Sequence, residues 1–132
     1  MSQTLAISPA PSRRLNILAW SLQVLLALVF LAAGGAKLAG VPMMVEVYDF
    51  IGVGQWFRIV TGLVEVAGAI ALLVPGYAAF AALWLACTMV GAIVAHLTAL
   101  PTPAAPAAVL LALTATLAWL RRDQILAVFG RR

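Results

Sequence analysis

Four apolar runs, each about as long as a bilayer core is thick, constrain this chain more than any other feature. They extend from about Leu15 to Ala33, Phe57 to Val74, Ala78 to Leu97 and Pro103 to Leu120. Crossing about 30 Å of hydrocarbon takes about 20 helical residues, so each run reads as a transmembrane helix. The apolar character is continuous rather than alternating, and lipid requires every backbone polar group to be paired internally, which excludes a β-barrel. With 65% hydrophobic and 9% charged residues among 132, and a mean hydropathy of +1.11, the chain cannot build a water-soluble surface. The expected fold is all-α, an integral membrane four-helix bundle forming a single domain over residues 1–132.

Arg13 and Arg14 before the first run, and the small residues from Ala32 to Ala36 after it, imitate a secretory signal. The apolar core is longer than the 7–15 residues usual for such a signal, so it reads as a retained helix. Orientation follows from the basic residues: Arg13 and Arg14 precede helix one, and Arg121, Arg122, Arg131 and Arg132 follow helix four. By the positive-inside rule both termini are expected to be cytoplasmic, although Lys37 and Arg58 fall in the first outer connection beside Glu46 and Asp49. Trp20 and Trp119 are then expected near the inner interface and Trp56 near the outer one. The net charge of +4 reads as topology and attraction to anionic lipid, not as nucleic-acid binding. The tail from Arg121 to Arg132, with Ile125, Leu126, Val128 and Phe129 between basic ends, reads as an interfacial segment.

The connection from about Gly35 to Trp56 has its own pattern. Pro42, Met43, Met44, Val45, Val47, Phe50 and Ile51 are interspersed with Glu46, Tyr48 and Asp49, and Gly52 and Gly54 close the stretch. Too short to cross, it reads as an amphipathic helix over the outer mouth of the bundle or in the interface.

Polar residues inside the apolar runs carry the functional expectation. Glu65 lies deep in the second run, where a charged carboxylate costs about 2.5–3.5 kcal/mol on insertion scales. Helical spacing aligns Gln23, Ala27, Phe30, Gly34 and Lys37 on one face of helix one, Thr61, Glu65 and Gly68 on helix two, and Met89, Ala92 and His96 on helix three. Lys37, Glu65 and His96 are the main binding or proton-relay candidates, with Gln23, Arg58, Thr61 and Met89 secondary. Glu65 is expected to contact Lys37, His96 or Arg58. The lone Cys87 excludes an internal disulfide, and a single histidine with no ligand at helical spacing makes no metal site. No motif for an intrinsic cofactor is present. Ala67 and Ala71 form a small-xxx-small pair that packs either within the bundle or against another copy.

The segment LVFLAAGGAKLAG, residues 28–40, resembles the end of helix one in DoxX and DoxX-like membrane proteins. The resemblance continues through TGLVEVAGAIALLVPGYAA, residues 61–79, and MVGAIVAHLTALPTPA, residues 89–104. It implies a compact four-helix protein of a bacterial-type cytoplasmic membrane, places Lys37, Glu65 and His96 at the family's recurrent polar positions, and suggests an association with thiosulfate:quinone oxidoreduction. No catalytic role comes with those positions.

Three functional classes stay open. The first is an accessory, assembly or binding subunit of a membrane complex, whose buried charges fix helix register and whose amphipathic segment meets a protein partner. The alternative is a quinone-interacting subunit of an oxidoreductase, with His96 donating to a carbonyl, Glu65 relaying a proton, and Phe30 and Met89 lining an apolar slot. Such a subunit would need a redox partner and would not be catalytic alone. A small proton-coupled transporter is the lesser alternative, and a membrane enzyme acting on a lipophilic substrate is the remaining one.

Overall fold

The computed structural model describes residues 12–130 and is built from helices throughout. Ser12 opens α1 (Arg13–Ala39), its Oγ accepting the Leu15 N–H at 3.2 Å. The helix runs well past Ala33, because Gly34 and Gly35 continue it rather than break it, and it stops at Gly40, whose φ of 71° is a left-handed cap. Lys37 therefore sits in the last helical turn, where a cation suits the helix dipole. Pro42 starts α2 (Pro42–Ile51), and Gly52 at φ 80° ends it. The remaining helices are α3 (Gln55–Leu72), α4 (Ala78–Thr98), α5 (Ala105–Leu120) and α6 (Arg122–Phe129).

Among the described residues α1, α3 and α4 are long and apolar enough to cross a membrane. Helix α5 is equally apolar but has 16 residues, about 24 Å at 1.5 Å per residue. The four pack as a ring: α1 lies along α3, α3 against α4, α4 along α5, and α5 returns to α1. Gln124 on α6 accepts the N–H of Ala79 at the start of α4 at 3.0 Å. Arg121 reaches Asn16 at the start of α1. The chain thus comes back through α5 to the end at which α1 begins, giving the molecule an α2 end and an α6 end. The expected tail segment is the short helix α6; Arg131 and Arg132, which entered the orientation reading, lie outside the described residues.

Leu26, Phe30, Leu72, Leu85 and Leu117 are fully buried between the helices, with Ala19, Ala27, Ala69 and Ala82 filling the gaps. Ile17, Leu25, Leu28, Ile70, Val90 and Val94 point outward. Such a surface would be an aggregation liability in water and is the ordinary face of a helix against acyl chains. Helices α1 and α3 approach backbone to backbone. A Cβ on Gly34 would stand 2.9 Å from the Gly62 carbonyl oxygen and 2.8 Å from Val66 Cγ2, so these backbones touch only because both positions are glycine. This contact sets the register that brings Lys37 alongside Glu65.

Candidate functional site

The buried face of α1 is the stripe legible in the sequence, with Gln23, Ala27, Phe30 and Gly34 all inside. At its α2 end Lys37 places Nζ 2.6 Å from Oε1 of Glu65, whose side chain is 3% exposed against 15% for Lys37. At this separation the freely rotating Lys37 ammonium is the partner of Oε1, a charge-assisted contact. Glu65 stands about 15 Å along α3 from its start.

A cavity of about 560 Å³ opens beside this pair, enclosed by α2, α3, α4 and the end of α1. Lys37, Glu65, Thr61, Met89 and His96 all line it, so five of the seven candidates occupy one space. Apart from Tyr48, Thr88 and Thr102 the rest of the wall is apolar, with Val60 and Val64 from α3, Ala92 and Ala95 from α4, and Met44, Val47 and Ile51 from α2. Met43, Met44 and Met89 all face it, and polarizable, unbranched methionine adapts to irregular ligands. His96 is held from the loop before α5: Nδ1 lies 2.9 Å from Thr102 Oγ1 and 3.1 Å from Thr102 O. The two contacts select opposite tautomers. If Nδ1 accepts from the hydroxyl, Nε2 carries a proton and is a donor; if Nδ1 donates to the carbonyl, Nε2 is an acceptor.

Tyr48 was not among the sequence candidates. It is the buried residue of α2, lines the cavity, and packs edge-to-face on Phe57 with ring centroids 5.8 Å apart. Burial pushes its phenol pKa above the ordinary 10.0, the negative charge of Glu65 adds to this, and the Thr61 hydroxyl and Arg58 oppose it. Its only sequence signal is an amphipathic pattern that places it with the polar residues of α2, whereas the structure turns it inward.

Three residues named from the sequence lie elsewhere. Arg58 does not reach Glu65: its Nε donates to Gln55 Oε1 at 2.7 Å and its Nη1 donates to the Lys37 carbonyl, so it caps the exposed end of α1. Gln23 is at the α6 end, donating to the Leu72 carbonyl at 2.7 Å and accepting from Arg121. Phe30 is a core residue and does not line the cavity. Ala67 and Ala71 line a separate groove of about 400 Å³ on the outward face of α3 and α4, between Trp84 and Tyr77. That groove carries no ionisable side chain except the Tyr77 phenol at its rim, which leaves the Glu65 cavity as the candidate site. Among the described residues no group of His, Cys, Asp and Glu is arranged to hold a metal.

Helices of membrane-crossing length, a lipid-type exterior and an internal apolar cavity with an ion pair on its wall define a small α-helical membrane protein. The chain belongs to the DoxX-like family, whose model matches residues 21–119. The match covers Lys37, Glu65 and His96 and reaches from α1 to the end of α5. No curated protein and no solved structure matches the chain.

Proposed function

We propose that this protein is a membrane-embedded binding subunit that holds a small lipophilic molecule with a polar head in the cavity between α2, α3 and α4. The observation that carries the reading is the convergence of Lys37, Glu65 and His96 on one largely apolar space of about 560 Å³, within the usual 300–1,000 Å³ of small-molecule sites. Methionine and aliphatic walls take the body of the ligand. Its head meets the Lys37–Glu65 pair and His96, whose remaining nitrogen donates or accepts according to the Thr102 contact. A quinone-like ring has this shape and polarity, so a quinone-linked oxidoreductase is a natural larger complex for such a subunit, the redox centre residing in a partner. The outward side of α2, with Glu46, Asp49 and Phe50 exposed, suits contact with that partner or with headgroups.

In this reading α5 is the fourth crossing, tilt or local thinning of the bilayer making up its length. Both termini are cytoplasmic, and α2 covers the outer mouth of the bundle in a bacterial-type cytoplasmic membrane.

Native mass spectrometry of protein gently extracted from its own membrane tests the proposal. The expected result is a retained lipophilic molecule in the wild type and its loss in folded Glu65→Gln and His96→Gln proteins. A wild type that carries a polypeptide partner but no small molecule would return Glu65 to the role of helix glue and favour a purely assembly function.

A further inference from the structure

Arg121, between α5 and α6, is 7% exposed, yet every partner it has among the described residues is neutral. Its Nε donates to Gln23 Oε1 at 2.9 Å and its Nη1 to Asn16 Oδ1 at 2.8 Å. Its guanidinium carbon lies 5.7 Å from the Trp20 ring centroid. Gln23 is itself fixed by donating to the Leu72 carbonyl, so α1, α3 and α5 together hold the guanidinium fork in one orientation. Nη2 has no hydrogen-bond partner among the described residues.

No carboxylate meets it among the described residues. The whole chain has four carboxylate side chains, Glu46, Asp49, Glu65 and Asp123. Two belong to α2, and Glu65 is paired with Lys37 in the one ion pair among the described residues. Asp123, although near in sequence, makes no salt bridge with Arg121. A cation withdrawn from water without an anion is costly, and this end adds further positive charge in exposed Arg13 and Arg14 on α1 and in Arg122, stacked 4.0 Å over Trp119. A planar guanidinium fork with a spare edge is the geometry that recognises phosphate oxygens. At the end of a bundle of membrane-length helices, the phosphates at hand are those of lipid headgroups.

We propose that the α6 end is a binding site for the phosphate of an anionic phospholipid, with Arg121 as its buried donor and Arg13, Arg14 and Arg122 as its positive surroundings. The site is independent of the Glu65 cavity, which lies toward the other end of the bundle. The lipid supplies the negative charge that Arg121 does not find among the described residues and ties α6 to the bundle end.

The test uses the full chain in phosphatidylcholine nanodiscs, alone, with phosphatidylglycerol, or with inorganic phosphate added, read by native mass spectrometry and thermal unfolding. Phosphatidylglycerol is expected to be retained over phosphatidylcholine by about tenfold and to raise the unfolding temperature, and inorganic phosphate to do neither. Arg121→Lys, which keeps the charge and loses the fork, is expected to weaken the preference. Arg121→Met in a Gln23→Leu background removes the cation together with its buried amide partner and is expected to abolish it. Equal retention of the two lipids by the wild type overturns the proposal whatever the variants do. Equivalent stabilisation by inorganic phosphate overturns the lipid as the source, and an undiminished preference in the double variant overturns Arg121 as the donor.

Discussion

Lys37 has two places to put its charge, and the difference between them is testable. From the last turn of α1 its stem could carry the ammonium up toward headgroups, yet Nζ sits 2.6 Å from Glu65 Oε1, and the backbone carbonyl of the same residue is held by Arg58. With both side chains largely withdrawn from solvent, deleting one partner strands the other. Lys37→Met alone should therefore destabilise the protein by about 3–5 kcal/mol, and Lys37→Met with Glu65→Leu by much less. Unfolding in nanodiscs of the two single variants and the double variant completes the cycle, and simple additivity would mean that the two groups do not interact. Glu65 was legible in the sequence because a carboxylate in an apolar run stands out, and Lys37 because it shares a face with Gln23 and Gly34. Of the three partners expected for Glu65, Lys37 is the one in contact, whereas Arg58 holds the Lys37 carbonyl, a contact between helices that spacing along one helix does not encode. Tyr48 was missed because the inward side of α2 is decided by the cavity beneath it, which no local pattern encodes.

Adjacent glycines on one helix separate packing from propensity at the level of the element. A Cβ on Gly34 would meet the Gly62 carbonyl oxygen and Val66 at under 3 Å, whereas one on Gly35 would meet nothing within 4 Å. The obstacle at Gly34 includes backbone, which cannot swing aside as a long side chain can. Gly34→Ala should thus force α1 from α3 and cost about 1–3 kcal/mol, while Gly35→Ala should be neutral or stabilise by up to about 1 kcal/mol through helix propensity. Because the same approach sets the reach from Lys37 to Glu65, Gly34→Ala should also weaken ligand retention in the cavity. Thermal unfolding of the two variants side by side checks the first part and native mass spectrometry the second; equal stabilities would show that α1 and α3 are not in backbone contact. The sequence placed Gly34, not Gly35, on the stripe with Lys37, and spacing alone carried that distinction. It could not reveal that Gly62, one turn before Glu65 and outside the stripe assigned to helix two, is the other half of the contact.

For the molecule as a whole, the number of crossings depends on α5. Apolar length made the helices visible, since α1, α3, α4 and α5 all fall on the four runs, but length alone leaves α5 short at 16 residues. Packing supplies what length lacks. His96 near the end of α4 contacts Thr102 just ahead of α5, and after α5 Arg121 contacts Asn16 near the start of α1. Between these anchors α5 runs from one end of the bundle to the other, which is the observation behind the proposal that it is a fourth crossing. Residues at the α2 end and the α6 end should then face opposite sides of the membrane, with the arginine-flanked end inside. Replacing Cys87, the one cysteine, by alanine and introducing Asp49→Cys on α2 or Asp123→Cys on α6 provides a label at each end. A membrane-impermeant maleimide applied to intact cells should modify Asp49→Cys, whereas Asp123→Cys should react only after permeabilisation. Both reacting from outside would mean that α5 does not cross, and the reverse pattern would invert the orientation while leaving four crossings. The Arg121–Asn16 contact joins residues 105 apart in sequence, which is why the proposal of a fourth crossing draws on packing rather than on hydropathy.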